Sequence, residues 1–369
     1  MKLCIASSRL LWSPTLGGHA WVNLNWAFGA VAGGAEVTFL DSLPPDLEPA
    51  AAQRRIADFQ AELAGLGLRA GLAVLPPPGA PPDAALRQLG ATSDLLLNFN
   101  YALGADVLDC FRRTALVDID PGLLQMWVGG GAFGLARHDL YFTIGETVGQ
   151  PGARFPDCGL RWLYTPPPVH LPAWPVTRAA AGAPYTTVTN WWGAFEVDAG
   201  EVFNNEKRTS FLDYLDLPRS TAAPLELAIY HEPGNWSEFP MLAEHGWRVR
   251  AAFEVTGSPR AYRRYLQESR GEFSCAKPSC MRFANAWVSD RTLCYLASGK
   301  PAVVQHTGAS RFLPDAAGLF RFRSPEQAAA MLAQVEADYE HQCRLAQALA
   351  AEHFAAAKVV RSVLERAAP

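Results

Sequence analysis

LYTPPPVHLPAWPVTRAAAGAP, residues 163–184, decides how the rest of this 369-residue chain is read. Six of its residues are proline, each fixing φ and removing a backbone donor, so neither a helix interior nor a central strand is expected here. The small-residue run that closes it suits a connector. The stretch therefore reads as a boundary, and a chain of this length holds more than one ordinary core.

Upstream, the short apolar runs KLCIAS (2–7), EVTFLD (36–41), GLAVLP (71–76), DLLLNFN (94–100), TALVDID (114–120) and LYFTIG (140–145) alternate with helical stretches such as 19–33 and 48–65. That rhythm predicts stacked βαβ units, a parallel sheet covered on both faces. Downstream the rhythm restarts with YTTVTNWW (185–192), LELAIY (225–230), WRVRAAF (247–253), EFSCAK (272–277) and KPAVVQHTG (300–308). Ser324, Pro325 and Gln327 form a capping-box pattern opening a long helical region that runs to about Ala367, with a break near residue 338. The expected organisation is an α/β domain over 1–165, a proline-rich linker over 166–184, a second α/β domain over 185–335, and a helical segment over 336–369 that packs back on the first domain.

Composition excludes several functions. A net charge of −4 from 32 basic and 36 acidic residues, without a Lys/Arg block, makes nucleic acid an unexpected partner. Seven cysteines at irregular spacing make no CxxC pair and no even disulfide set, so reduced thiols and a cytoplasmic location are expected. No apolar run is long enough to span a membrane. No G-x-G-x-x-G follows a predicted strand, and neither a G-x-x-x-x-G-K-[ST] loop nor a G-x-S-x-G elbow occurs. Nicotinamide, P-loop and α/β-hydrolase chemistry thereby lose their motifs.

What remains is sparser. In SPTLGGHAWVNLNWAFGAVAGGAEVTFLDS (13–42) a histidine follows two glycines where a loop becomes a helix. Gly17 and Gly18 would let the backbone turn sharply, and His19 is either a solvent-facing turn residue or a base projecting from the helix start. The Asp118–Asp120 pair ends a strand as an Asp-x-Asp, a metal clamp in one class of sugar-transferring enzymes. That class has a single-domain layout, so no metal is expected.

The order strand, Gly-rich turn, His, amphipathic helix, GAEVTFL resembles the opening of two-domain GT-B glycosyltransferases, and ANAWVSDRTLCYLASGKPAVVQHTG (284–308) resembles their donor-binding half. VDIDPG, TIGETVG, YRRYLQESRGEFSCAK and WVSDRTLCYLASGKPAVVQHTG extend a closer likeness to a poorly described bacterial set of such enzymes across most of the chain. The resemblance implies two facing Rossmann-like domains with a cleft between them, acceptor on the first and nucleotide sugar on the second. It implies His19 as the base for an acceptor hydroxyl, oriented by Asp118 or Asp120. It implies a donor helix starting near Ser289 with its free N–H groups on a diphosphate, assisted by Arg291. Gln305, His306, Thr307 and Gly308 would touch the donor sugar. Lys277 and Arg270 are either phosphate partners or solvated loop charges.

Two positions depart from the pattern. Cys294 stands where many relatives carry a ribose-gripping glutamate, which leaves Asp290 for that contact, and His306 replaces an expected aspartate. Trp12, Trp21, Trp191 and Trp192 are expected at the cleft edge. The activity expected is metal-independent transfer of a sugar from a nucleotide diphosphate sugar to a small-molecule acceptor, with no cofactor beyond that co-substrate. A nucleotide-sugar 2-epimerase of the same fold and a catalytically silent sugar-nucleotide-binding protein are the alternatives.

Overall fold

The structure, a computed structural model, describes residues 1–368 except Ser8, 14–16, 193–195, 199–201 and 231–235, with only the backbone of 196–198. Its first half is a parallel sheet of β1 (Lys2–Ala6), β2 (Glu36–Asp41), β3 (Ala70–Val74), β4 (Leu95–Asn98), β5 (Thr114–Asp118), β6 (Leu140–Thr143) and β7 (Trp162–Tyr164), in spatial order β3-β2-β1-β4-β5-β6-β7. Helices α1 (Gly17–Ala32), α2 (Pro49–Gly65), α3 (Ala84–Thr92), α4 (Ala105–Leu108) and α5 (Leu123–Gly129) connect them. β4 and β5 are buried along their whole length, which is why they read as unbroken apolar runs. The strand order reverses at β1, so the crevice for a ligand opens at the carboxyl ends of β1 and β4. The glycine-rich GGGAFG run at 129–134 begins in the last residue of α5 and does not follow a strand.

The second half repeats the design. Its strands are β8 (Tyr185–Asn190), a hairpin of β9 (Glu196–Asp198) and β10 (Val202–Asn204), then β11 (Leu225–Tyr230), β12 (Arg248–Ala251), β13 (Gly271–Ser274), β14 (Ala302–Gln305), β15 (Ala316–Ala317) and β16 (Leu319–Phe322). The main sheet runs β12-β11-β8-β13-β14-β16-β15, parallel except for the short β15 at its edge. Its helices are α6 (Lys207–Leu212), α7 (Phe239–Glu244), α8 (Ala252–Thr256), α9 (Pro259–Glu268), α10 (Pro278–Phe283) and α11 (Asp290–Ala297).

Three helices close the chain: α12 (Pro325–Ala337), α13 (Tyr339–His353) and α14 (Ala356–Ala367). Ser324 Oγ accepts the Gln327 N–H at 3.3 Å, while Gln327 Oε1 reaches back one residue further than a standard capping box, to Arg323 N at 2.9 Å. Asp338, at φ −143° and ψ 47°, makes the break expected near that position. α13 lies on α11, whereas α14 crosses to the first sheet and lies on α1. Val359, Val360 and Val363 are its buried stripe, and a Cβ on Gly29 of α1 would stand 2.6 Å from Val360 Cγ2. Among the described residues, no helix is long and apolar enough to cross a membrane.

Candidate functional site

The two sheets face each other through a cleft of about 400 Å³. One wall is the first turn of α1. The other collects the carboxyl ends of β8 and β11 and the starts of α6 and α11.

Gly17 and Gly18 have a different purpose from the one expected. They are the first residues of α1 and neither has a positive φ, so no special turn is made there; the residues ahead of them, 14–16, lie outside the described residues. A Cβ on Gly17 would sit 2.3 Å from Ser258 O, and one on Gly18 2.7 Å from the Tyr262 ring. The glycines let α1 press its start onto the other domain. The Trp21 indole N–H seals the same contact with a 2.8 Å bond to Pro259 O, and its ring is buried rather than lining the cleft. Half-buried His19 is carried by this turn and lines the cleft.

The aspartates part company. Asp118 is fully buried at the end of β5: Oδ2 accepts Gln125 Nε2 and Thr143 Oγ1, both at 2.9 Å, and Oδ1 accepts the Asp120 N–H at 3.0 Å and the Tyr101 hydroxyl at 3.3 Å. Burial nevertheless pushes its carboxyl up to about 6. With both oxygens accepting these hydrogen bonds, Asp118 braces the β5–α5 turn. Asp120, two residues on, is half-buried and pairs with Lys277, a cleft-lining residue of the second domain, at 3.3 Å. Asn285 Nδ2 donates to Pro121 O at 2.7 Å beside it.

On the second wall, Ser289 caps α11, its Oγ accepting the Arg291 N–H at 3.3 Å. Asp290 follows, its carboxyl pushed up to about 7 by burial, with the nearby Asp120 charge acting in the same direction. Arg291 borders the cleft, but its guanidinium is committed downward: Nε to Glu272 Oε1 at 2.7 Å, Nη1 to Val188 O at 2.7 Å, Nη2 to Ser274 Oγ at 2.6 Å. Glu272 is completely buried, so this pair holds α11 onto β13 and β8 before it does anything else.

Lys207, at the start of α6, was not singled out from the sequence and is the most informative cation in the cleft. Its ammonium makes no hydrogen bond or ion pair among the described residues. Burial, with Arg291 and Lys277 nearby, pulls it down to about 7. Lys277 shifts the other way, upward, because Asp120 is beside it. A half-buried amine facing two other cations leaves a place for an anion.

The remaining residues divide by location. Gln305 Oε1 accepts Ala276 N at 3.0 Å and Thr307 Oγ1 donates to Trp287 O at 2.6 Å, next to Ser289 and Arg291. Gly308, at φ +131°, has Ala284 O only 2.6 Å from where a Cβ would be, so no other residue fits. His306 is turned toward Asp315, at 3.9 Å, and Arg321. Arg270 is a correction: it precedes β13 at its amino end, bonds Glu336 through Nε at 2.9 Å and Nη2 at 2.8 Å, and stacks 3.3 Å above the Tyr339 ring. It ties the last helices to the sheet, on the side away from the cleft. Cys294 is buried inside α11. Trp191 and Trp192 line the cleft, the former held by Glu238 at 2.7 Å, the latter under Arg208. Trp12 is exposed, with Arg9 over its ring.

No family model matches the chain, and no curated protein matches it. Solved structures match along its whole length. An alpha-glucosyltransferase in complex with UDP and a 13-mer DNA is 11% identical with a TM-score of 0.62, all of both chains being covered. HepE from Anabaena, in complex with UDP-glucose, is 12% identical with a TM-score of 0.60, 99% of each chain covered. A protein from Listeria monocytogenes assigned as a UDP-N-acetylglucosamine 2-epimerase is 11% identical with a TM-score of 0.52, covering 99% of this chain and 94% of its own. What is shared at such identities is the fold, and the chain has that of the GT-B glycosyltransferases.

Proposed function

We propose that this chain is a glycosyltransferase that moves a sugar from a nucleotide diphosphate sugar to a hydroxyl of a small-molecule acceptor. The observation that carries the proposal is the opposition, across one cleft, of His19 on the first domain and the α11 start with Lys207 and Lys277 on the second. The diphosphate sits against the free N–H groups of α11 and the two lysines, which supply the countercharge that lets the leaving group depart without a metal. Asp290, at the mouth of α11, takes the ribose hydroxyls in the absence of the usual glutamate. Gln305, Thr307 and Gly308 shape the sugar end. His19 removes the proton of the acceptor hydroxyl as it attacks the anomeric carbon. Arg291 acts through the fold, by seating α11.

The test combines a mass-spectrometric screen against nucleotide sugars with acceptor mixtures and the His19→Ala variant. Transfer by the parent, with turnover in the variant reduced about a hundredfold or more and donor affinity retained, is expected for loss of a general base. Turnover within a few-fold of the parent refutes the role of His19. Conversion of the donor without any acceptor would indicate the epimerase, which shares this fold. Donor bound but left intact would indicate a silent binding protein.

A further inference from the structure

TIGETVG, residues 143–149, brings a glutamate just past the carboxyl end of β6. Glu146 is buried, and the groups it binds belong to the other domain. Its Oε1 accepts the Ser310 hydroxyl at 2.6 Å, and its Oε2 accepts the Arg311 N–H at 3.1 Å and Arg311 Nε at 3.3 Å. The Arg311 side chain is 71% exposed, so its ion pair adds little, and the weight falls on Ser310 and the backbone N–H. Ser310 Oγ also accepts Phe312 N at 3.3 Å and Leu313 N at 3.1 Å, which leaves its single hydrogen for Glu146. A first-domain carboxylate thus fixes the second-domain loop that directly follows Gly308.

That loop continues the turn assigned to the sugar end of the donor. Within its own domain the turn is held by Thr307 Oγ1 on Trp287 O at 2.6 Å, by Arg321 Nη1 on Gly308 O at 2.9 Å, and by Ala286 N on Thr307 O at 3.0 Å. Asn285, next to Ala286, crosses to Pro121 O of the first domain. The first domain therefore holds this turn at two points, Pro121 and Glu146. Gln305 and Thr307 line a recess that shares Ser289 and Arg291 with the cleft, so a shift of the turn reshapes the wall there.

We propose that Glu146 is a positioning residue for the donor sugar, one that sets the second-domain turn 305–308 and with it the fit of the sugar. Glu146 acts through Ser310 and the Arg311 N–H, not by touching the reacting atoms. Because these bonds run between domains, the sugar end of the site is complete only where the two domains are in contact. The inference rests on the glycosyltransferase reading.

UDP-glucose, UDP-N-acetylglucosamine, dTDP-glucose and GDP-mannose are titrated onto the full chain by calorimetry, and each that binds is paired with its own nucleoside diphosphate, which lacks the sugar. Glu146→Gln keeps the volume and one acceptor oxygen but leaves Arg311 N without its carboxylate; Ser310→Ala removes the hydroxyl from the other side. Each variant should lower the affinity of the nucleotide sugar relative to its diphosphate by about fivefold or more, the lower end of coupling between separated groups, with diphosphate affinity within about twofold of the parent. A residue that only stabilises the fold would weaken both ligands alike. Melting temperature and far-UV circular dichroism show that each variant is folded. An unchanged ratio in the folded variants, or equal weakening of sugar nucleotide and diphosphate, overturns the proposal while leaving the glycosyltransferase reading in place. Failure of the parent to bind any of the four overturns that reading, and the role of Glu146 with it.

Discussion

Lys207 gives the cleft a titration that a bound anion must change. In the empty protein its amine sits at about 7, because burial and the neighbouring Arg291 and Lys277 disfavour the charged form. A diphosphate beside it favours that form and restores an ordinary lysine value near 10. At pH 8 only about a tenth of the empty protein carries the charge, so binding takes up about 0.9 proton; at pH 6 the uptake falls to about 0.1. The sign follows: affinity declines as pH rises through 7, by about tenfold between pH 6 and pH 8. UDP-glucose is the suitable probe, since neither of its phosphates titrates in this range. Asp290 also lies near 7 and would add uptake in the same direction, so the measurement belongs in an Asp290→Asn background. Isothermal calorimetry in buffers of different ionisation enthalpy reads the proton count directly. Lys207→Met should abolish both the uptake and the slope, and weaken binding at pH 6 by about ten- to a hundredfold, the range of a charge-assisted bond. Affinity independent of pH in the parent, or uptake that survives Lys207→Met, would show that the diphosphate lies elsewhere.

Arg291→Ala leaves Glu272 buried without its cation and should cost about 3–5 kcal/mol of stability in denaturant melts, whereas Arg291→Met with Glu272→Leu should recover most of it. A single variant as stable as the parent would return Arg291 to direct diphosphate binding. Gly17→Ala drives a methyl into the Ser258 carbonyl and should lower stability by about 1–3 kcal/mol or separate the domains; small-angle scattering distinguishes the two, and a variant unchanged in both would contradict the tight interdomain contact.

The sequence carried the fold well because the features that specify it are long. Strands buried on both faces leave unbroken apolar runs, a six-proline stretch leaves a gap, and the 284–308 string carries a helix cap, a turn and a strand in fixed order. β7 and β16 were missed because each is three or four residues long and their packing partners lie elsewhere in the chain. The site was less legible, since composition near a motif does not reveal direction. Arg270 and Lys277 flank the same strand, but parallel strands send their carboxyl ends to the cleft, so Lys277 reaches it and Arg270 cannot. That distinction was available in the sequence once β13 was drawn. Arg291 could not have been judged this way, because its commitment to Glu272 depends on a register 19 residues away. Lys207 stands alone in an unremarkable polar run, and only the convergence of three cations in space gives it meaning. The paired glycines look alike whether they serve a tight turn or a close approach.

The chain passes between its domains twice, once through the segment after β7 and once between α13 and α14. These two passages are tied to each other: Val169 N donates to Phe354 O at 2.7 Å, and Ala356 N donates to Val169 O at 2.9 Å. The two straps are thus fastened to each other at one point. Val169 and Ala355 hold the two passages together, so a displacement of either one strains both bonds. The buried stripe of α14 lies on α1, so the first domain is held to the second by the last helix of the chain as well as by the linker. Cutting the chain after His353 would remove one of the two straps together with both of these bonds, and would expose the apolar face of α1 that α14 covers.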